Sequence, residues 1–275
     1  MGRIAPRGPH PARGCGARAI LADVDDAAAV WRQRQEGRGI PADILATAAT
    51  NPWHHDVGLF AAPPEPVDSP SRRAALALLP DGGTVLDVGC GGGRAAFALA
   101  GRVGHVTAVD QQQDMLDAFA ADARARGVPH RTVLGRWPDV AADAGTADVV
   151  TCHHVLHNVV DLVPFVRALT EAARRGVVVE MMVEHPMAWL DPLWLRFHGL
   201  RRPPSATTDD AVAALREIGV DPAVQRWERG SPGPRDAAWV ARRLCLPPEA
   251  VPEVAGALEG LERPGVAATL SWAAA

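Results

Sequence analysis

From Thr84 onward the chain alternates between short apolar, β-branched runs and Ala-rich stretches with helical periodicity. The runs are VLDV at 85–88, HVTAVD at 105–110, RTVLG at 131–135, ADVVTC at 147–152 and GVVVEMM at 176–182. Helical patterns fill 92–100, 112–126, 160–174 and 208–218. Within each run the apolar positions are nearly continuous, as expected of strands buried on both faces. This order predicts βαβ units and a doubly wound, mostly parallel α/β sheet. Two late runs, 223–229 and 266–273, are separated by helical stretches at 235–245 and 248–261, and they predict a closing antiparallel hairpin that brings the sheet to seven strands.

Upstream, residues 1–20 carry Pro, Gly and Arg with no acid and no periodicity, the signature of a disordered tail. Residues 21–67 predict a helical lid and linker: one helix over Leu21–Gln35, a second from Pro41 to Ala49, and a Pro-rich connection at 61–70. A helix from Ser71 to Leu79 opens the main domain, 68–275, with helical insertions expected at 184–205 and 234–262.

Composition narrows the class. The 275 residues are 48% apolar and 22% charged, enough apolar material for a sizeable core. All 28 basic residues are arginine, and against 32 acids they leave a formal charge of −4, which is not the footprint of a nucleic-acid binder. Four cysteines at 15, 90, 152 and 245 fit neither a disulfide framework nor a zinc motif. No apolar run approaches a membrane span, and the reading is a cytoplasmic protein with no membrane partner.

The most informative segment is VLDVGCGGGRAAFALA at 85–100, followed by a strand ending at Asp110. A strand feeding a glycine turn and then a helix exposes backbone N–H groups where no side chain blocks a ligand. A carboxylate at the end of the next strand, about 20 residues on, can accept both hydroxyls of a ribose. Gly91-Gly92-Gly93-Arg94-Ala95-Ala96 also satisfies the loose Gly-x-Gly-x-x-Ala form of a dinucleotide site. Asp87 separates the two cofactors, because a buried anion sits badly beside a pyrophosphate and well beside an ammonium or sulfonium.

With Asp87-x-Gly89-x-Gly91-x-Gly93, Asp110, the following QQQDML and ADVVTCHHVLHNV at 147–159, the chain resembles the class I S-adenosylmethionine-dependent methyltransferases, in their broad small-molecule group. The resemblance covers roughly 68–183. It implies that Asp87, Gly89 and Gly91 line the methionine end of S-adenosylmethionine, that Asp110 takes the ribose hydroxyls, and that Gln111 lies beside the adenine. His153 matches the position whose backbone carbonyl holds the methionine amino group. Where relatives carry Gly-Asp after the third strand, this chain has Gly135-Arg136-Trp137, so Trp137 either stacks on adenine or is core.

Methyl transfer needs orientation and a dry site, with a base only where the nucleophile must lose a proton. His154 and His157, after the fourth strand, are the candidates for substrate contact. No metal is expected, because His154, His157 and Asn158 lack a paired carboxylate. The apolar segment 185–204 either roofs a substrate pocket, packs on the sheet or meets a second copy, and the oligomeric state stays open, a homodimer included. The expected activity is methyl transfer to an oxygen, nitrogen or carbon of a small molecule. A cofactor-binding protein without turnover and an NAD-dependent oxidoreductase are the alternatives.

Overall fold

The computed structural model describes residues 26–53, 57–229, 236–261, 263 and 265–274. The seven strands are β1 (Gly83–Val88), β2 (Val103–Asp110), β3 (His130–Leu134), β4 (Ala147–His153), β5 (Ala173–Met182), β6 (Ala223–Glu228) and β7 (Val266–Ala273). They form one sheet in the order β3-β2-β1-β4-β5-β7-β6. The first five pair in parallel, and β7 runs antiparallel between β5 and β6. The doubly wound sheet and its closing hairpin are therefore as the alternation of runs predicts. Strand order reverses beside β1, so the carboxyl ends of β1, β2 and β4 border the crevice where open α/β sheets take ligands.

The helices are α1 (Ala27–Glu36), α2 (Ala42–Ala46), α3 (Pro70–Leu78), α4 (Arg94–Phe97), α5 (Gln113–Ala125), α6 (Ala141–Ala144), α7 (Leu162–Ala172), α8 (Asp191–His198), α9 (Thr208–Glu217), α10 (Ala237–Arg243) and α11 (Val251–Ala257). Ser69 caps α3 by accepting from the Arg72 N–H, with Pro70 at its first position, so the helix begins where the sequence sets it. Thr207 and Asp210 form a reciprocal capping box on α9. Along α7, Leu162, Phe165, Val166 and Leu169 fall three or four apart and all turn inward. The stretch 92–100 is shorter as a helix than its periodicity suggests, ending at Phe97.

Alternation along the strands divides the core. Val85, Val149 and Val178 face α3, α4 and α5, whereas Leu86, Val150, Cys152 and Val179 face α7 and α9. A third cluster stands apart, with Trp189, Leu190, Leu193 and Trp194 packed against Val240, Leu244, Val254 and Leu258. The insertions at 184–205 and 234–262 thus bury their apolar faces on each other, which decides for packing over a pocket roof.

The N-terminal segment is not a single lid. Helix α1 packs beside α9 and α7: the Trp31 indole N–H donates to the Val159 carbonyl at 2.8 Å, and the Glu217 carboxylate accepts from the Ala27 N–H at 2.7 Å. Arg38 reaches Asp191 at the start of α8 through two bonds of 3.0 and 2.7 Å. Among the described residues of this segment, Phe60 and Ala61 reach the glycine turn, Ala61 bridging Gly93. The expected tail 1–20 and the histidines at 54 and 55 lie outside the described residues. Among the described residues no helix is long and apolar enough to cross a membrane.

Candidate active site

At the end of β1 the chain must turn without side chains. Gly89 has φ of 68°, and a Cβ there would sit 2.4 Å from a methyl of Val155. Both the left-handed backbone and the close approach require glycine. Two residues on, the Gly91 N–H donates to Asp110 Oδ2 at 3.0 Å, while Asp110 Oδ1 accepts from the Gln112 N–H at 3.0 Å. Asp110 thereby joins the turn after β1 to the end of β2, with Gln111 exposed beside it.

Asp87 lies beneath this turn and is 1% exposed. Its Oδ1 accepts from the Thr151 hydroxyl at 2.9 Å, and its Oδ2 is buried without a partner. Burial pushes the Asp87 carboxyl up to about 7, with Asp110 adding repulsion and the hydrogen bonds from Thr151 and the Ala96 backbone opposing it. An anion held out of water with an orphaned oxygen is stabilised by a cation placed beside it.

At the end of β4, His153, His154 and Glu180 come together. Glu180 is a carboxylate inside the apolar run 176–182 of β5 and is 6% exposed. The His154 N–H donates to the Glu180 carbonyl at 2.6 Å, and its ring Nε2 lies 2.9 Å from Oε1, a clasp that holds His154 at φ of 60°. His153 Nδ1 stands 4.0 Å from Oε2, and its Nε2 is buried without a partner. Burial pushes the His153 imidazole down to about 4, so the ring is neutral at pH 7. Burial also works against the Glu180 carboxylate, but the His154 bond, the two imidazoles and the Ser71 hydroxyl outweigh it and hold Glu180 well below the usual range.

Beside this cluster opens a cavity of about 470 Å³ on the α3 and α4 face of the sheet. Thr151, His153 and Glu180 are among its lining residues, with Ser71 and Arg72 from α3, Arg94 from α4, and Trp227 and Arg229 from β6 and the residues after it. Gly89, Gly91 and Asp110 do not line it. Arg94 and Ala95, which directly follow the turn, do line it, so the cavity borders the start of α4.

Residues 85–176 match the family model of the methyltransferase domain. The ubiquinone biosynthesis O-methyltransferase of Sodalis glossinidius is 33% identical over 133 residues, 46% of this chain and 53% of its own length. That of Chromobacterium violaceum is 35% identical over 111 residues, 40% of this chain and 46% of its own. Over that region the chain is similar to methyltransferase domains. It spans about half the length of the curated relatives it matches. Among solved structures, a protein assigned as a methyltransferase from Bacillus halodurans C-125 shares the fold, with a TM-score of 0.54 at 18% identity, covering 75% of this chain and 99% of that one. The YcgJ protein of Bacillus subtilis aligns with a TM-score of 0.50 at 18% identity over 73% and 96% of the two chains.

The residues present fit S-adenosylmethionine in two respects. Asp110 ends β2 where a ribose would be held, and the orphaned Asp87 oxygen suits a cationic methionine end, while the N–H groups of Gly89, Cys90, Gly91 and Gly93 are engaged by Val109, Asp110 and Cys90.

Two expected site residues are placed elsewhere. Trp137 is 5% exposed with its indole N–H on the Phe165 carbonyl at 3.2 Å, which favours the core of the two alternatives over the adenine stack. His157 is 3% exposed, accepts the Met182 N–H on Nε2 at 3.1 Å and meets the His185 ring edge-on, so it braces β5 and does not stand at a pocket mouth. Burial holds it neutral, well below its ordinary value. The cavity lining includes His153 and neither His154 nor His157. Among the described residues no three His, Cys, Asp or Glu side chains group as a metal site.

Glu180, Thr151 and Arg229 went unnoticed in the sequence. A signal existed for Glu180, since a lone acid inside GVVVEMM is a charge that a buried strand must neutralise. Arg229 stood at the end of an edge strand with nothing local to mark it.

Proposed function

We propose that the chain transfers a methyl group from S-adenosylmethionine to an oxygen of a small molecule held in the cavity beside β4. The observation that carries this is the buried, unpartnered Nε2 of His153 on the cavity wall, next to the Thr151–Asp87 bond that adjoins the cofactor turn. When bound, S-adenosylmethionine supplies a methyl carbon whose bond to sulfur breaks as the acceptor attacks, leaving S-adenosylhomocysteine. Asp87 sets a negative charge beside the cationic end, and Asp110 positions the ribose.

His153 accepts the proton that the acceptor hydroxyl loses, on Nε2, while Glu180 at Nδ1 stabilises the ring as it becomes charged. The low affinity of His153 for protons keeps it free at pH 7, and the carboxylate behind it offsets part of the cost of protonation. His154 acts through Glu180, holding its carboxylate with the ring and its backbone carbonyl with the main-chain N–H. The O-methyltransferase names of the relatives support oxygen as the nucleophile. An oxidoreductase reading fits poorly with a buried carboxylate beneath the turn.

The test is incubation of the full chain with methyl-labelled S-adenosylmethionine and a set of hydroxylated aromatic acceptors. The expected result is label in a small-molecule product, with His153→Ala slowing transfer by roughly 10²–10⁴-fold and leaving S-adenosylhomocysteine affinity unchanged. Tight S-adenosylhomocysteine binding with no labelled product from any acceptor would favour a binding protein without turnover.

A further inference from the structure

The charge of the cavity does not follow the charge of the chain. The protein carries −4 overall, yet the cavity lining holds three arginines, Arg72, Arg94 and Arg229, against one acid, Glu180. Glu180 is already committed, by its contacts with His154, His153 and Ser71. Arg72 turns its Nε to the Ala98 carbonyl, and Arg94 reaches only the Ala61 carbonyl, at 3.3 Å. Among the described residues none of the three arginines lies within ion-pair distance of a carboxylate. Arg94 and Arg229 also feel each other: burial, then the Arg229 charge, lowers the proton affinity of Arg94. Two like charges placed together on the wall of a partly desolvated cavity are a standing cost that an anion between them relieves. The planar guanidinium matches a carboxylate with two parallel hydrogen bonds.

We propose that the methyl acceptor is a small organic acid, whose carboxylate lies against Arg94 and Arg229 and whose hydroxyl faces His153. This rests on the methyl-transfer reading and adds the substrate class to it. The cavity of about 470 Å³ suits a compact ring or short chain with one anionic end. Apolar contact from Phe97, Leu99 and Met182 covers the body of the molecule, and the arginines fix which end enters first. A neutral molecule of the same shape leaves both arginine charges on the cavity wall unrelieved and is discriminated against.

One other source of the same chemistry exists, the carboxylate of the cofactor's own methionine end, and the experiment separates the two. The full chain saturated with S-adenosylhomocysteine is titrated with benzoate and, as a neutral match in size, benzyl alcohol, by ligand-observed NMR. The expected result is benzoate binding about tenfold tighter or more, the scale of one charge-assisted contact. The paired substitution Arg94→Gln and Arg229→Gln brings benzoate to the level of the alcohol, with the Kd for S-adenosylhomocysteine unchanged. Equal binding of the two probes by the unaltered protein, or no binding of benzoate, overturns the proposal without any variant having to fold. A paired variant that loosens S-adenosylhomocysteine and not benzoate also overturns it and assigns the arginines to the cofactor. Failure of the methyl-transfer reading shows differently, as a chain that does not bind S-adenosylhomocysteine at all.

Discussion

At the scale of single residues, histidines close together in sequence separate by burial and partner. His153 lines the cavity with its Nε2 buried and unpartnered, His154 spends its ring on Glu180, and His157 accepts a backbone N–H from β5. His157→Ala is expected to destabilise the fold by about 2–3 kcal/mol, because the Met182 N–H loses its partner and a buried volume is left empty. Urea denaturation reads this as a lower midpoint, with S-adenosylhomocysteine affinity of the folded variant unchanged. A variant of normal stability that lost only turnover would return His157 to the chemistry. The turn itself was legible, because a glycine run between a strand and a helix imposes local rules on backbone, and Gly89 and Gly91 have the positive φ such a turn needs. Which histidine faces a cavity was not legible, since it depends on strand register and on Glu180 across the neighbouring strand.

Elements were read more securely than their partners. The central strands follow from apolar runs that leave little exposed face, the edge strands β3 and β6 keep exposed residues, and α7 follows from its periodicity. What the pattern could not say is that α8, α10 and α11 bury their apolar faces on one another, since nothing local distinguishes a helix facing a sheet from one facing another helix. The same limit turned the expected N-terminal lid into α1 packed beside α9 and a short segment at Phe60 and Ala61. Because the insertion cluster is separate from the two sheet faces, its stability and the cofactor site are separable. Leu244→Ala, at a fully buried position of that cluster, is expected to cost about 2–4 kcal/mol. Calorimetric titration with S-adenosylhomocysteine should give the unaltered Kd at temperatures where the variant is folded. A Kd weakened in step with stability would show that the insertions support the turn.

For the whole molecule, buried titratable groups set the response to acid. His153 and His185 are pushed down to about 4 and His157 well below its ordinary value, in each case chiefly by burial, so between about pH 4 and 6.5 the unfolded chain binds protons that the folded one does not. Stability rises with pH across that window. Asp87, raised to about 7, works in the opposite sense: the folded chain keeps a proton that the unfolded chain has lost above about 4, and this contribution is gone once pH passes 7. The three histidines outnumber the one raised carboxyl, so stability still rises with pH across the window. Asp87→Asn should steepen the rise, read from denaturation midpoints at pH 4.5, 5.5 and 6.5; an unchanged slope would mean that Asp87 is ionised in the folded protein. The central claim is that the glycine turn, Asp87 and Asp110 form an S-adenosylmethionine site, and titration calorimetry with S-adenosylhomocysteine and NADH, on the unaltered chain and Asp110→Ala, tests it most directly. The account predicts binding of S-adenosylhomocysteine alone, weakened by about 1.5–3 kcal/mol in a folded Asp110→Ala protein. Binding of NADH instead, or an affinity that Asp110→Ala leaves untouched, would contradict it.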